Sequence, residues 1–194
     1  TPLDRYSCRH GLGYTILEGE KDGICAAQEL FVPKGDACEL DRLTLTNRSD
    51  CPRELDVFSY VEFCLWDAVD DSSNFQRNFS TGEVEVEGSA VYHKTEYRER
   101  RDHYAVFWAN CPISSFDTSR DAFCGVYGGP ADPQAVRAGH CSGSIAHGWA
   151  PVGALHIHVK LAPGECRSIL FGLGYIENPQ EEKFVAPGVI NKAR

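Results

Sequence analysis

LHIHVKLAPGECRSILFGLGY, residues 155–175, carries the strongest structural signal in the sequence. In residues 155–161, apolar side chains alternate with two histidines and a lysine. This two-residue period is typical of a β-strand with one buried and one exposed face. Pro163, Gly164 and Glu165 predict a turn, and residues 168–175 predict the next strand. The stretch as a whole therefore predicts an antiparallel β-hairpin.

Strand signals of the same kind occur on the N-terminal side of this stretch. They comprise the alternation at 43–46 with turn residues at 47–50, a long apolar run at 55–66, the alternation at 83–87, and short apolar runs at 104–108 and 123–127. We find no convincing apolar stripe at helical spacing. Many short strands separated by turns predict an all-β fold, a large antiparallel sandwich. The long irregular stretches at 67–78 and 130–151 are candidates for function.

Composition limits the classes of partner. The chain has 194 residues and a formal net charge of -9, so its surface repels phosphate backbones and we expect no nucleic-acid partner. No apolar run approaches the roughly 18 residues needed to span a membrane, and the first five residues do not resemble a signal peptide. Methionine is absent and the first residue is Thr1, so we expect a segment of a longer protein.

The cysteine content is high, but it does not indicate a scaffold. The nine are Cys8, Cys25, Cys38, Cys51, Cys64, Cys111, Cys124, Cys141 and Cys166. The number is odd, the chain exceeds 100 residues and no CxxC pair occurs, which argues against both a disulfide framework and a zinc ribbon. We predict free, mostly buried thiols in a reducing cytosol.

The segment DAVDDSSNFQRN, residues 67–78, is the first candidate site. It combines carboxylates, amides, an arginine and a phenylalanine. Such mixtures bind sugars, because planar polar groups bridge adjacent hydroxyls while an aromatic ring covers the apolar sugar face. Residue types alone favour the simpler interpretation, a solvated turn with a local Asp–Arg pair. Asp70 and Asp71 are therefore not assigned as acid and base.

Two further groups of residues are considered. In HKTEYRERRDH, residues 93–103, Arg98 and Arg100 share one strand face and Arg101 lies on the other. They predict a clamp for a phosphate or a domain, or more simply an interface laced with ion pairs. His156 and His158 form an HxH pair that could bind a metal. No third ligand is specified, so we predict a polar outer strand face and no metal site.

Longer strings carry a family resemblance. They are CRHGLGYT at 8–15, VEFCLW at 61–66, NFQRNFSTGEVEV at 74–86, YHKTEYRERR at 92–101, GYIEN at 174–178 and GVINK at 188–192. On these strings the sequence resembles the cellobiose phosphorylase family, glycoside phosphorylases that include chitobiose and cellodextrin phosphorylases. The resemblance covers essentially the whole chain.

The resemblance implies a galactose-mutarotase-like super-sandwich at residues 1–185, followed at 186–194 by a linker toward an (α/α)6-barrel catalytic domain absent from this sequence. The implied reaction is inverting phosphorolysis, in which cellobiose and phosphate give α-glucose 1-phosphate and glucose. The general-acid aspartate is expected on the barrel, so no catalytic residue is assigned here. Inorganic phosphate is the co-substrate, and no metal or organic cofactor is implied.

The resemblance also implies roles for residues in the first candidate site. Arg77 is expected to hydrogen-bond the acceptor sugar with Phe75 packing nearby, and Gln76 and Asn78 are weaker candidates. A cytoplasmic homodimer is implied, in which the arginines at 98–101 act as structural clamps. Two alternatives remain open: a free-standing carbohydrate-binding sandwich without catalysis, and a purely structural domain that shapes and dimerises the enzyme.

Overall fold

The computed structural model describes residues 2–63, 69, 82–95, 103–148, 150–177, 184–187 and 189–192. The strands in order are β1 (Arg5–His10), β2 (Tyr14–Lys21), β3 (Ile24–Phe31), β4 (Cys38–Asn47), β5 (Arg53–Glu62), β6 (Gly82–Glu87), β7 (Ala90–Thr95), β8 (His103–Ala109), β9 (Ser115–Ser119), β10 (Pro151–Leu161), β11 (Cys166–Glu177), β12 (Phe184–Ala186) and β13 (Val189–Ile190). Two short helices, α1 (Arg120–Cys124) and α2 (Gln134–Ala138), lie between β9 and β10.

The strands form two main antiparallel sheets. The large sheet has the order β1-β2-β3-β4-β11-β8-β7-β6, and the small sheet has the order β5-β10-β9. A separate pair, β12 and β13, carries the buried Ile190. The prediction of an all-β antiparallel sandwich is confirmed. The predicted domain boundary at 185/186 falls inside β12, and that division stays a prediction.

The core lies between the two sheets. Leu155, Ile157 and Val159 of β10 are at most 1% exposed and belong to the same apolar cluster as Phe107 and Phe171 of the large sheet. Complete burial of one such side chain contributes about 1.5–3 kcal/mol. The alternation predicted for residues 155–161 is confirmed on its apolar side.

The predicted hairpin between residues 155–161 and 168–175 is wrong. β10 pairs with β5 and β9, whereas β11 pairs with β4 and β8. Each strand is flanked on both sides within its own sheet, so the turn at 163–165 carries the chain from one sheet to the other. A period of two identifies a strand, but it does not identify the strand's partner.

Asn47 connects two crossings between the sheets, the one between β10 and β11 and the one between β4 and β5. The side chain is fully buried, and its Nδ2 donates to the backbone carbonyls of Cys51, Leu161 and Ala162. Its Oδ1 accepts from the backbone N–H and the hydroxyl of Ser49. The turn predicted at 47–50 is thus confirmed, and its asparagine also holds together two connections that are distant in sequence.

Residues 123–127, predicted as a strand, instead comprise the end of α1 and a turn. Phe123 packs with Cys124, Ala135, Cys141 and Ala154 in a second cluster on the outer side of the small sheet. The prediction was wrong because a short apolar run is compatible with either a buried strand or a buried helical turn. No helix in the described ranges is long and apolar enough to cross a membrane.

The thiols only partly match the prediction. All eight described cysteines are free, but only Cys124 and Cys141 are buried, whereas Cys8, Cys51 and Cys166 are exposed. The expectation of mostly buried thiols is therefore wrong for the described residues. The exposed thiols lie on β1, in the turn before β5 and at the first residue of β11, where no second layer of described residues faces them.

Candidate functional site

The residues predicted to contact the acceptor sugar lie outside the described residues. They are Phe75, Gln76, Arg77 and Asn78, and the same is true of Arg98, Arg100 and Arg101. The structure describes the two ends of the segment that carries the first four. β5 ends at Glu62, the buried Phe63 follows, and β6 begins at Gly82.

A cavity of about 370 Å³ opens at this end of β5. Aromatic, aliphatic and acidic side chains line it, including Phe63, Leu173, Tyr175, Asp36, Glu39 and Glu62. A ring of mainly apolar side chains with a few polar groups is the usual composition of a small-molecule site. Aromatic rings beside carboxylates also match the two chemical faces of a sugar.

Phe63 is held in place by a buried histidine. The two rings stack with centroids 4.9 Å apart, and His93 is only 4% exposed. Among the described residues neither His93 ring nitrogen has a hydrogen-bond partner, and burial lowers the pKa of His93 to about 4. The ring is therefore neutral near pH 7 and acts as an apolar plate under Phe63.

Lys94, the next residue, was predicted within a segment laced with ion pairs. Its side chain is 3% exposed, and Nζ lies 2.8 Å from Glu83 and 4.5 Å from the centre of the Phe184 ring. Hydrogen bonding to Lys94 lowers the pKa of the Glu83 carboxyl. The described part of the 93–103 segment therefore contains a buried lysine paired across β6 and β7.

Glu62 is fixed on the other side of the β5 end. The Tyr60 hydroxyl donates to Glu62 Oε1 at 2.7 Å, and Arg120 Nε lies 3.3 Å from the same oxygen. Burial, reinforced by the Glu62 carboxylate, raises the pKa of Tyr60 well above its ordinary value. These contacts hold a carboxylate at the last residue of β5, the strand that precedes the candidate sugar segment in the sequence.

A second cavity, of about 290 Å³, adjoins the first and shares Glu39 and Leu173 with it. Asp41 lines it. One oxygen of Asp41 accepts from Gln28 Nε2 at 2.7 Å, and the other is buried with no hydrogen-bond partner in the part of the chain that the structure describes. Burial raises the pKa of this carboxyl. The opening between the sheets therefore has acidic groups next to an aromatic floor.

The HxH pair has a structural role. Both ring nitrogens of His156 are hydrogen-bonded. Nδ1 lies 2.8 Å from Ser115 Oγ, and Nε2 lies 2.8 Å from Asp56 Oδ1. His158 Nδ1 lies 3.0 Å from the same Asp56 oxygen, and hydrogen bonds from both histidines lower the pKa of Asp56. Within the described ranges no three His, Cys, Asp or Glu side chains are arranged to hold a metal ion.

The prediction of a polar outer face is confirmed for His158 and wrong for His156, which is 5% exposed. Phe58 stacks on the His156 ring at 4.6 Å, and it also packs against the cluster formed around the two short helices. Sequence reasoning missed Ser115 and Asp56. The only signal that identifies them is cross-strand register, since Ser115 lies opposite His156 and Asp56 lies opposite His158.

Comparisons with known proteins give a consistent result. The family model for the glycosyl hydrolase 94 supersandwich domain matches residues 1–189. An N,N'-diacetylchitobiose phosphorylase of Vibrio furnissii is 35% identical over 163 residues, which are 82% of this chain and 20% of that protein. A solabiose phosphorylase of Paenibacillus borealis is 37% identical over 164 residues, 84% of this chain and 21% of that protein.

Among solved structures, a polysaccharide lyase matches with a TM-score of 0.50 at 14% identity, over 87% of this chain and 22% of that one. At such low identity the likeness concerns the fold alone. The chain spans about a fifth of the length of the two phosphorylases above.

Proposed function

The chain belongs to the glycosyl hydrolase 94 family through its supersandwich domain, and from this premise we propose that it is the N-terminal domain of an inverting disaccharide phosphorylase. The observation that carries the proposal is the family match over residues 1–189. The phosphorylase names of two relatives at 35% and 37% identity support it.

In the proposed reaction, phosphate attacks the anomeric carbon of a β-linked disaccharide while a general acid protonates the leaving oxygen. Phosphate thereby takes the place of the activated water of an inverting hydrolase. The acid and the phosphate site belong to a helical barrel domain outside this chain. Cellobiose is the proposed substrate, phosphate the co-substrate, and the enzyme a cytoplasmic homodimer without metal or organic cofactor.

The proposed contribution of this domain is acceptor-sugar contact and dimer interface. The segment with Phe75 and Arg77 follows β5 and Phe63 in the sequence, and Phe63 lines the cavity with aromatic and acidic side chains. Arg77 would hydrogen-bond acceptor hydroxyls with Phe75 packing nearby, and Gln76 and Asn78 would assist. Loss of a charged partner of a sugar hydroxyl costs about 1.5–3 kcal/mol of transition-state binding.

The test is phosphate release in the synthetic direction, measured on the full-length protein and on this chain. Donors are α-glucose 1-phosphate and its N-acetylglucosamine counterpart. Acceptors are glucose, N-acetylglucosamine and glucuronate. Activity in the full-length protein alone supports the proposal, and the preferred pair identifies the substrate. Sugar binding without phosphate release for any pair would instead support a non-catalytic carbohydrate-binding module.

The acceptor role is tested with Arg77→Ala in the full-length protein. We expect kcat/KM for the acceptor to fall by about 10- to 100-fold. Arg137→Ala is the matched control, because Arg137 is exposed and forms an ion pair with the exposed Asp132, away from the cavity. Equal kinetics for the two variants would contradict the acceptor role and favour a purely structural domain.

A further inference from the structure

Asp117 of β9 is a fully buried acidic residue. In the part of the chain that the structure describes, four groups of one loop donate hydrogen bonds to its carboxylate. They are the backbone N–H and the hydroxyl of Ser142, at 3.1 and 2.6 Å, and those of Ser144, at 3.0 and 2.8 Å. Gly143, with a φ of +75°, makes the turn between the two serines. Burial of a charge is costly unless hydrogen bonds replace water, so this carboxylate favours one arrangement of the loop.

The same loop is attached along the rest of β9. Ser115 Oγ accepts from the backbone N–H of Cys141 at 3.0 Å. Thr118 Oγ1 accepts from the backbone N–H of Ala146 at 2.8 Å, and Ala146 belongs to the apolar core between the two sheets. Residues 141–147, which we call the docked loop, therefore follow a fixed path from β9 to the core.

The docked loop ends beside the first residues of β6. Its last residue, His147, forms an antiparallel bridge with Glu83, the second residue of that strand. β6 follows the segment with Phe75 and Arg77 in the sequence. The docked loop therefore contacts the C-terminal flank of the segment proposed to bind the acceptor sugar.

The N-terminal flank of the same segment is contacted from the end of β9. Arg120 directly follows Ser119, the last residue of β9, and its Nε lies 3.3 Å from Glu62 Oε1. Glu62 is the last residue of β5, the strand that precedes the segment in the sequence. The backbone N–H of Arg120 also donates to the carbonyl of Ala150 at 3.3 Å, which closes the connection between β9 and β10 on itself. β9 and this connection thus contact both strand ends that flank the segment.

We propose that Asp117 is a positioning residue for the acceptor sugar, because it holds the docked loop against β6 and so fixes one of the two strand ends that flank Phe75 and Arg77. This inference rests on the acceptor role proposed for that segment. Asp117 is fully buried, so it acts through the loop and does not touch the sugar. A displacement of about 1 Å at a substrate-orienting group costs up to roughly 100-fold in rate, which makes such an indirect effect measurable.

A purely stabilising role predicts a different kinetic result. Buried polar networks favour one arrangement more than they add net stability, since apolar side chains of the same volume stabilise a core as well. A variant that is only less stable contains less folded enzyme, which lowers kcat and leaves both KM values unchanged. A variant with a displaced segment binds the acceptor more weakly, which raises the acceptor KM alone.

Asp117→Asn in the full-length protein separates these two results. Asparagine keeps the shape of the side chain, but its Nδ2 donates where a carboxylate oxygen accepts from the Ser142 backbone N–H. In the synthetic direction we expect the acceptor KM to rise about tenfold, with kcat and the donor KM within about twofold of the wild type. Asp132→Asn is the matched control, because it makes the same change at an exposed aspartate of the same connection. An unchanged acceptor KM, with or without a lower kcat, would overturn the proposal.

A milder pair of variants covers the case in which Asp117→Asn does not fold. Ser142→Ala removes the hydroxyl that donates to Asp117 at 2.6 Å, whereas Ser142→Thr retains a hydroxyl, and Ser142 itself is exposed. We expect the acceptor KM to rise about threefold in Ser142→Ala and to stay near the wild-type value in Ser142→Thr. Equal acceptor KM values for the two variants would contradict the role of Asp117.

Hydrogen exchange of the β6 amides in the full-length protein makes the test independent of phosphorolysis. We expect these amides to exchange about tenfold faster in Asp117→Asn than in the wild type, whereas the amides of β3, on the far side of the large sheet, keep their rates. Unchanged β6 exchange overturns the proposal in an active or an inactive enzyme. No phosphate release from the wild type for any sugar pair rejects the proposed function, and β6 exchange then decides alone whether Asp117 holds that strand.

Discussion

The two halves of the large sheet share one architecture and differ in what faces them. In the half formed by β4, β11, β8, β7 and β6, Val91, Phe107 and Phe171 are at most 2% exposed. In the half formed by β1, β2 and β3, the same antiparallel pairing continues without one fully buried residue. Strand formation therefore follows the local pattern and the pairing, whereas burial follows from the second layer.

The largest expected difference between the halves is in the free energy of unfolding lost on a Leu→Ala substitution, made once in each half. Leu155→Ala removes a fully buried side chain facing the covered half, and we expect a loss of about 2–5 kcal/mol in the free energy of unfolding. Leu17→Ala, in the uncovered half, is expected to cost about 1 kcal/mol or less. Urea unfolding of both variants measures the contrast, and equal losses would contradict it.

Substitution of Asn47 tests how much its side chain stabilises the two chain crossings between the sheets. Asn47→Ala leaves three buried or partly buried carbonyl groups without their donor, so we expect a loss of about 2–3 kcal/mol. Asn110→Ala is the control, since that exposed side chain accepts one hydrogen bond, from the Leu170 backbone N–H, among the described residues. If both variants unfold at the same urea concentration, Asn47 does not lock the crossings.

The covered half should also be sensitive to acid. The pKa of His93 in the folded chain is about 4, below its ordinary value of 6.5, so between these values the unfolded chain binds the proton and the folded chain does not. Stability therefore falls as the pH is lowered, by about 2 kcal/mol between pH 7 and pH 5, and levels off near pH 4.

Urea midpoints at several pH values measure this effect. His93→Phe keeps a ring against Phe63 and is expected to remove the dependence, whereas His140→Gln, at an exposed histidine, should retain it. A pH profile unchanged by His93→Phe would show that other groups cause the acid sensitivity.

The smallest effect is expected on the outer face of the uncovered half. Arg48→Ala breaks an ion pair with Glu20 whose arginine side chain is 55% exposed, and such pairs contribute about 0–1 kcal/mol. The measurement is the shift in urea midpoint caused by Arg48→Ala, determined once at low and once at high salt. A loss above about 2 kcal/mol would mean that this half is organised more like the core than its exposure indicates.

The sequence was sufficient to predict the fold class and the apolar side of β10, because a two-residue hydrophobic period can be recognised from adjacent residues. It was insufficient for pairing. Thr44 and Ser168 meet across β4 and β11 although 124 positions separate them, and nothing local specifies that contact. For the same reason the predicted hairpin failed, since β10 and β11 each pair with strands that are distant in sequence.

In the candidate site, too, local composition could be interpreted from the sequence whereas contacts between distant residues could not. The composition of residues 67–78 suggested sugar binding, and the family resemblance specified Arg77, which stays a prediction. The stacking of Phe63 on His93 and the clamp of Tyr60 and Arg120 on Glu62 were not visible in advance. His93 stood in a strongly charged segment for which we predicted a clamp or an interface laced with ion pairs, and only the second layer of the sandwich makes its ring a buried plate.

The Asn47 contacts have a consequence for synthesis on the ribosome. Asn47 is made 114 residues before Leu161, the carbonyl it must bind. At about 5–20 residues per second, the nascent chain waits roughly 6–23 s before the second crossing can be locked. For most of that interval β5 has been made without its neighbour β10, so the period of greatest exposure to chaperones is set by the spacing of two residues in the sequence.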